Sequence, residues 1–236
     1  MGRRQVAKRK RATDLIRPGP DGKLCLPESA GSVTYVPSFL SQADANLLLE
    51  ETKDACSWER TPITFFGKSV LQPRDTAFFG TKLYSYSDER RMPTGWEEDL
   101  PASAALKRLG NQIEDHLQLP KDWFNVILAN RYWHGQDFMG WHSDNEKSLG
   151  DHPIIASISL GAERRFLLRK KGVVQEGEQR EKLEYVLKHG SLLVMTGTMQ
   201  KTYQHSLPKV ALSKCDQLRL NFTFRRVVDE SDQSKG

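Results

Sequence analysis

Apolar residues recur at two different periods along this chain, and the change from one to the other divides it. In the first half the period is helical. Ser41, with Asp44 three residues on and Leu47-Leu48-Leu49 behind it, has the spacing of a capping box with aspartate in the usual glutamate place, and predicts a helix start. Residues 103–117 carry Leu106, Leu109, Ile113 and Leu117 at steps of three and four, which predicts a second helix. Between the two the sequence is aromatic and irregular, and Ile63-Thr64-Phe65-Phe66-Gly67-Lys68 reads as a short hairpin tip. From Trp123 the period drops to two. Phe124, Val126, Leu128, Asn130 and Tyr132 fall on one face of a strand, which carries two polar tips onto an otherwise apolar surface. Further runs over 154–160, 165–169, 183–187 and 191–195 predict strands, broken by a polar loop at 171–182 and a turn at His189-Gly190. The last strand alternates Arg219, Asn221, Thr223 and Arg225 with Leu218, Leu220, Phe222 and Phe224. Helices early and short strands late predict a mostly β fold with flanking helices around a double-stranded β-helix, or jelly-roll, core.

A chain of 236 residues is long enough to bury one well-formed core, and sandwiches of this size stay single. The expected organisation is a disordered basic leader at 1–32, one domain at 33–228 and a polar tail at 229–236. Within the domain, 33–122 supplies helices and a lid, and 123–228 the jelly roll. The leader, with Pro18-Gly19-Pro20-Asp21-Gly22, lacks apolar periodicity. No long apolar stretch and no signal-peptide pattern occur, so the expectation is an intracellular monomer with no membrane partner. Cys25, Cys56 and Cys215 are scattered and odd in number, which predicts reduced thiols.

The formal charge of +5 changes the picture less than it first suggests. Residues 1–12 hold Arg3, Arg4, Lys8, Arg9, Lys10 and Arg11 and no acid, and without those six there remain 29 basic residues against 30 acidic. The body is near neutral, so any phosphate-binding surface must be local. The leader reads as a nuclear address, a non-specific phosphate arm or a solvated terminus.

The chemistry is concentrated in Trp141-His142-Ser143-Asp144-Asn145-Glu146. Residues i and i+2 of an extended strand point the same way, so His142 and Asp144 project side by side and can share a metal ion. His205, in Tyr203-Gln204-His205-Ser206, is the candidate third ligand. Two histidines and a carboxylate make the facial triad that leaves three positions open on ferrous iron. A 2-oxoacid can fill two of these and leave one for dioxygen. Its far carboxylate needs a planar, permanently charged partner, for which arginine is suited. A zinc hydrolase shares the ligand types, but no His-Glu-x-x-His helix exists here and zinc leaves the arginine strand unexplained.

In this order, Asn130-x-Tyr132, His142-x-Asp144, His205 and Arg219-x-Asn221-Phe222-Thr223-Phe224-Arg225 resemble the AlkB family of Fe(II)- and 2-oxoglutarate-dependent dioxygenases, and most of all its nucleic-acid base demethylases. The resemblance covers roughly residues 33–228. It implies Fe(II) on His142, Asp144 and His205, with 2-oxoglutarate and O2 as cosubstrates. Asn130, Tyr132 and Asn221 would bond the cosubstrate, Arg219 would grip its distal carboxylate, and Arg225 would steady the end nearer the iron.

The implied activity is oxidative removal of N-linked methyl groups from bases such as 1-methyladenine and 3-methylcytosine, with loss of formaldehyde, in repair of alkylated DNA or on RNA. Such a base must be extruded from a duplex or met on a single strand. The resemblance places Phe66 as an apolar wedge, Lys68 and Arg74 on phosphates, Tyr86 against the target base with Tyr84 on its strand face, and Asn145 and Glu146 beside the base. Several repair relatives carry a second acid where this chain has Asn145, and an amide offers a donor but no charge. Arg164, Arg165, Arg169, Lys170 and Lys171 supply further cations for a nucleic-acid backbone or a solvated hairpin face. The implied location is the nucleus, or the cytoplasm of a bacterium. Alternatives are a dioxygenase of a protein or lipid, and a non-catalytic nucleic-acid-binding module.

Overall fold

The computed structural model describes residues 23–25, 31–65, 67–86, 89–91, 93, 95–96, 101–173 and 182–228. Its strands are β1 (Lys23–Cys25), β2 (Ser32–Val36), β3 (Pro62–Phe65), β4 (Lys68–Leu71), β5 (Asp75–Gly80), β6 (Tyr84–Tyr86), β7 (Glu89–Arg91), β8 (Val126–Tyr132), β9 (Met139–His142), β10 (Ile155–Gly161), β11 (Arg164–Lys170), β12 (Lys182–Leu187), β13 (Ser191–Thr196), β14 (Tyr203–Leu207) and β15 (Arg219–Arg225). The helices are α1 (Gln42–Lys53), α2 (Pro101–Leu117) and the short α3 (Met199–Thr202). A seven-stranded sheet runs β1-β2-β13-β10-β15-β8-β5 and a four-stranded sheet runs β12-β11-β14-β9, while β3-β4 and β6-β7 are separate two-stranded ribbons. The jelly roll is formed by the two larger sheets.

Both faces of the large sheet are buried, for different reasons. On one face Ile127, Ala129, Ala156, Ile158, Leu160, Leu192, Leu220, Phe222 and Phe224 pack against Ala45 and Leu48 of α1 and Ala102, Ala105, Leu106, Leu109 and Ile113 of α2. The alternate residues face the small sheet. There Ile155, Leu193 and Met195 join Leu168, Leu183, Tyr185 and Leu187 in a second apolar cluster. The rest of that inner face is polar, and Arg219, Asn221, Thr223 and Arg225 of β15 are all buried on it. A strand that looks amphipathic in sequence is therefore buried on both sides, with its polar side turned into the sandwich.

The local signals that build the helices are also visible. Ser41 caps α1, its Oγ accepting from the Asp44 N–H at 3.1 Å and donating to Asp44 Oδ2 at 2.6 Å. The second helix begins two residues earlier than expected because Pro101 fits the first turn, where no N–H bond is required. It ends at Gln118, whose positive φ of 56° breaks the helical path. Buried Glu114 then fastens the helix to the strand that follows, accepting from the Asp122 N–H at 3.0 Å and the Phe124 N–H at 2.9 Å.

Two expectations are corrected. Lys23–Cys25, placed by the sequence within an unstructured leader, pair with β2 as the edge strand of the large sheet. The cations Arg164, Arg165, Arg169, Lys170 and Lys171 do not all share one solvated face: Arg164 is buried and donates to the carbonyls of His134, Gly135, Asp137 and Pro208. It clamps two loops at one end of the sandwich. The turn into β11 is equally tight, since Gly161 has φ of 78° and an added Cβ would overlap the Leu218 carbonyl oxygen.

Glu114→Ala leaves two backbone donors without their acceptor, and at about 1–3 kcal/mol for a buried unsatisfied group the variant should lose about 2 kcal/mol. Urea unfolding measures this, with Glu114→Gln expected to lose less.

Candidate metal centre

The two histidines are brought together by strand pairing. His205 on β14 lies opposite His142 on β9, and the two rings are 4.1 Å apart between centroids. Asp144, two residues beyond β9, places Oδ1 3.7 Å from His142 Nε2 and 3.9 Å from His205 Nε2. All three ligand atoms lie within 4.8 Å of one another, close enough to share one ion. His142 Nδ1 donates to the Gly140 carbonyl at 2.9 Å, which fixes the tautomer and leaves Nε2 with its lone pair. Arg225 Nη2 donates to Asp144 Oδ2 at 2.7 Å inside the protein, so Oδ1 is the oxygen left for a metal.

The triad opens on a cavity lined by Asn130, Tyr132, Ser157, Arg219, Asn221 and Thr223 of the large sheet, with Met139, Phe166 and Leu207 opposite. Phe166 packs tilted on the His205 ring, centroids 5.3 Å apart. Arg219 is only 2% exposed. Its Nη2 donates to Ser159 Oγ at 2.9 Å, its guanidinium carbon lies 5.2 Å from the Tyr132 ring centre, and its Nε has no hydrogen-bond partner. No carboxylate pairs with it among the described residues, and burial pushes its pKa down to about 10. A desolvated cation without a counter-charge is costly. A metal-binding triad at one part of a cavity and such a guanidinium at another fit Fe(II) and a 2-oxo diacid: imidazole and carboxylate suit the metal, and the guanidinium suits a second carboxylate.

A ladder of amides joins the cavity's strands. Asn221 Nδ2 donates to Ser157 Oγ at 2.7 Å and the Ile158 carbonyl at 2.9 Å, and its Oδ1 accepts from Thr223 Oγ1 at 3.2 Å and Asn130 Nδ2 at 3.3 Å. Asn130 Oδ1 in turn accepts from Arg74 Nε at 2.8 Å. The Asn221 amide is thus occupied by the wall itself.

The residues singled out in the sequence are distributed unevenly around this site. His142, Asp144, His205, Asn130, Tyr132, Arg219, Asn221 and Arg225 line one cavity. Arg74 lies in its wall at 3% exposure, so the expected phosphate contact is corrected to an internal one. Lys68 is exposed on β4, Asn145 is exposed beside Asp144, and Glu146 is half-buried. Phe66 lies outside the described residues. Tyr84 and Tyr86 are placed on β6 by their backbone, their side chains lying outside what is described. Arg165 pairs with Glu184 at 2.6 Å, and Arg169 lies 4.2 Å over the Trp141 ring while bonding Gln204. Sequence reasoning missed Ser159 and Gln200. Ser157 and Ser159 alternate within an apolar strand, a polar pair on one face that could have marked them. Gln200 sits in a four-residue helix and left no such signal.

A model of the 2OG-Fe(II) oxygenase superfamily matches residues 32–225. The chain is 36% identical over 214 residues to "DNA oxidative demethylase ALKBH2" of Arabidopsis thaliana, covering 82% of this chain and 66% of that protein. It is 35% identical over 208 residues to "Alpha-ketoglutarate-dependent dioxygenase alkB homolog 3" of Homo sapiens, covering 86% and 69%. The chain therefore spans about two thirds of the length of these relatives. Among solved structures it superposes on OsALKBH1 with a TM-score of 0.53 at 18% identity, covering 86% of this chain and 99% of that one. An oxidoreductase of the 2OG-Fe(II) oxygenase family from Burkholderia pseudomallei gives 0.56 at 14%, covering 83% and 84%. Both structural matches show a shared fold.

Burial sets the protonation of the triad. Desolvation, reinforced by His142, pushes His205 down to about 3, and burial lowers His142 as well. Burial alone would raise the Asp144 carboxyl, but the Arg225 guanidinium beside it outweighs this and holds the group below the usual range. An unfolded histidine titrates near 6.5, roughly, so between there and about 3 the unfolded chain binds a proton that native His205 does not. Stability contributed above that window is lost as pH falls through it, by at most about 1.4 kcal/mol per pH unit for each proton. Urea midpoints of the metal-free protein should fall between about pH 6.5 and 4.5, and His205→Gln should make the fall shallower.

Proposed function

The chain belongs to the 2OG-Fe(II) oxygenase superfamily, and from that premise we propose that it is an oxidative demethylase of N-alkylated nucleic-acid bases, of the 1-methyladenine and 3-methylcytosine type, serving DNA alkylation repair. The cofactor set is Fe(II), with 2-oxoglutarate and O2 as cosubstrates. The observation that carries the reading is the pairing of a His142-Asp144-His205 cluster with the buried guanidinium of Arg219, which meets no carboxylate among the described residues, in one cavity. When bound, iron and 2-oxoglutarate would let O2 hydroxylate an N-methyl group, one oxygen atom going to the methyl carbon and the other to the cosubstrate, which would leave as succinate and carbon dioxide, while the hydroxymethyl group would leave as formaldehyde.

The protein's own part is to hold and to exclude. His142 and His205 stay neutral and offer lone pairs. Arg225 keeps Asp144 ionised and turned toward them. Arg219 fixes the far end of the diacid, with Asn130 and Tyr132 along its length. Phe166, Met139 and Leu207 line the opposite wall with apolar surface, which limits water around the reacting groups.

The substrate class is supported by relatives named as a DNA oxidative demethylase and an alkB homolog at about 35% identity over most of the chain. A base reaches such a pocket only when flipped out or unpaired. We assign Tyr84, Tyr86, Asn145 and Glu146 to the surroundings of that base, Lys68, exposed on β4, to the phosphates, and Phe66, two residues before Lys68 in the sequence, to the wedge. The residue run 1–12 is assigned as a nuclear address and the action to alkylated DNA, with RNA as a further substrate.

Formaldehyde release from a 1-methyladenine oligonucleotide should require Fe(II), 2-oxoglutarate and O2 together, and should vanish in His142→Ala and His205→Ala. Activity surviving both changes rejects the assignment. Arg219→Met, which removes the charge and keeps the length, should raise the KM for 2-oxoglutarate by about 100-fold, corresponding to about 2.7 kcal/mol of binding, with far less effect on the KM for the oligonucleotide.

A further inference from the structure

The two histidines owe their places to a strand ladder, but Asp144 does not. It lies beyond the end of β9, outside any sheet, and its exposure is only 4%, so its main-chain N–H is out of reach of water. A buried N–H of this kind needs an acceptor. Gln200 provides it: Oε1 accepts from the Asp144 N–H at 2.9 Å. Among the described residues its amide has no other strong partner, since Nε2 donates there only to Met195 Sδ at 3.4 Å. The Gln200 orientation is therefore dictated by Asp144, for a flipped amide would set donor against donor.

Gln200 is itself held firmly. It is 3% exposed and lies in α3, immediately before the strand that carries His205. Lys171 at the end of β11 grips that turn twice, its Nζ donating to the Gln200 carbonyl at 2.7 Å and its N–H to the Thr202 carbonyl at 2.8 Å. One residue before Asp144, Ser143 Oγ donates to the Tyr203 carbonyl at 2.7 Å. The segment 142–144 is thus stitched to 200–205 by side-chain bonds where the sheet no longer does so.

We propose that Gln200 is a positioning residue for the metal centre, fixing the main chain of Asp144 so that its free carboxylate oxygen meets the two imidazoles. Arg225 and Gln200 divide the task. Arg225 holds Oδ2 and so sets the rotation of the carboxylate. Gln200 holds the N–H and so sets where the carboxylate starts from. With the backbone released, the Arg225 bond alone lets Oδ1 swing away from the ion.

The inference rests on the metal reading of the triad, and binding of Mn(II), a redox-inert stand-in for Fe(II), by the metal-free full chain tests both separately. Free Mn(II) is followed by electron paramagnetic resonance at a temperature where circular dichroism shows each variant folded. Gln200→Met keeps volume and removes the acceptor, and should bind Mn(II) about tenfold more weakly, the lower end of what loss of a supporting hydrogen bond costs a metal site. Gln200→Glu keeps an acceptor oxygen and should stay within about threefold of the unaltered protein. If Gln200→Met does not fold, Gln200→Asn, whose amide stops one methylene short, takes its place with the same expected loss. Unchanged affinity in the acceptor-free variant, or equal loss in it and in Gln200→Glu, overturns the positioning role. His142→Ala, run in parallel, should abolish binding; if it binds normally, the metal reading falls, and the positioning role with it.

Discussion

The buried contact between Arg225 and Asp144 is the constraint around which the inner half of this protein is arranged. Both side chains are almost fully enclosed, at 2.7 Å, and neither charge would be tolerable alone at that depth. The pair leaves one carboxylate oxygen free, and two imidazoles stay neutral beside it because burial denies them a proton. Cationic Arg219, on the same strand, is left without a matching carboxylate among the described residues. An interior so charged is a poor way to gain stability and a good way to hold a small anion against a cation. The apolar cost is met elsewhere, by the helix-covered face of the same sheet.

That division of labour within single strands explains what the sequence could and could not disclose. The period-two pattern in 218–225 was legible, but alternation alone does not say which face meets water. His142-x-Asp144 and His205 tipped the choice toward an enclosed polar face. The ladder between β9 and β14 follows from no local pattern, since it joins residues more than sixty positions apart, yet it is what brings the two rings together. Ser41 and the leucine spacing of α2 were readable because capping and helical periodicity are local. The strand at Lys23–Cys25 was missed because three residues are too few for a period to show.

Arg74 and Arg164 illustrate the limit most clearly. Each stands among polar or charged neighbours in sequence, which suggested surface roles, and each is enclosed by partners distant in the chain: Asn130 for the first, four loop carbonyls for the second. Arginine's planar fork can satisfy many acceptors at once, so its burial depends on what converges around it and not on its neighbours. Gln200 is the same case for an uncharged group.

The placement of Arg219 and Arg225 on one strand has a bearing on how such a pocket changes over generations. Only every second residue of β15 looks inward, so a cation on it can be relocated only in strides of about 6.8 Å. The pocket is a ruler with coarse graduations. Along β15, then, the end-stop cannot be slid by a fraction of that stride to suit a slightly longer or shorter acid.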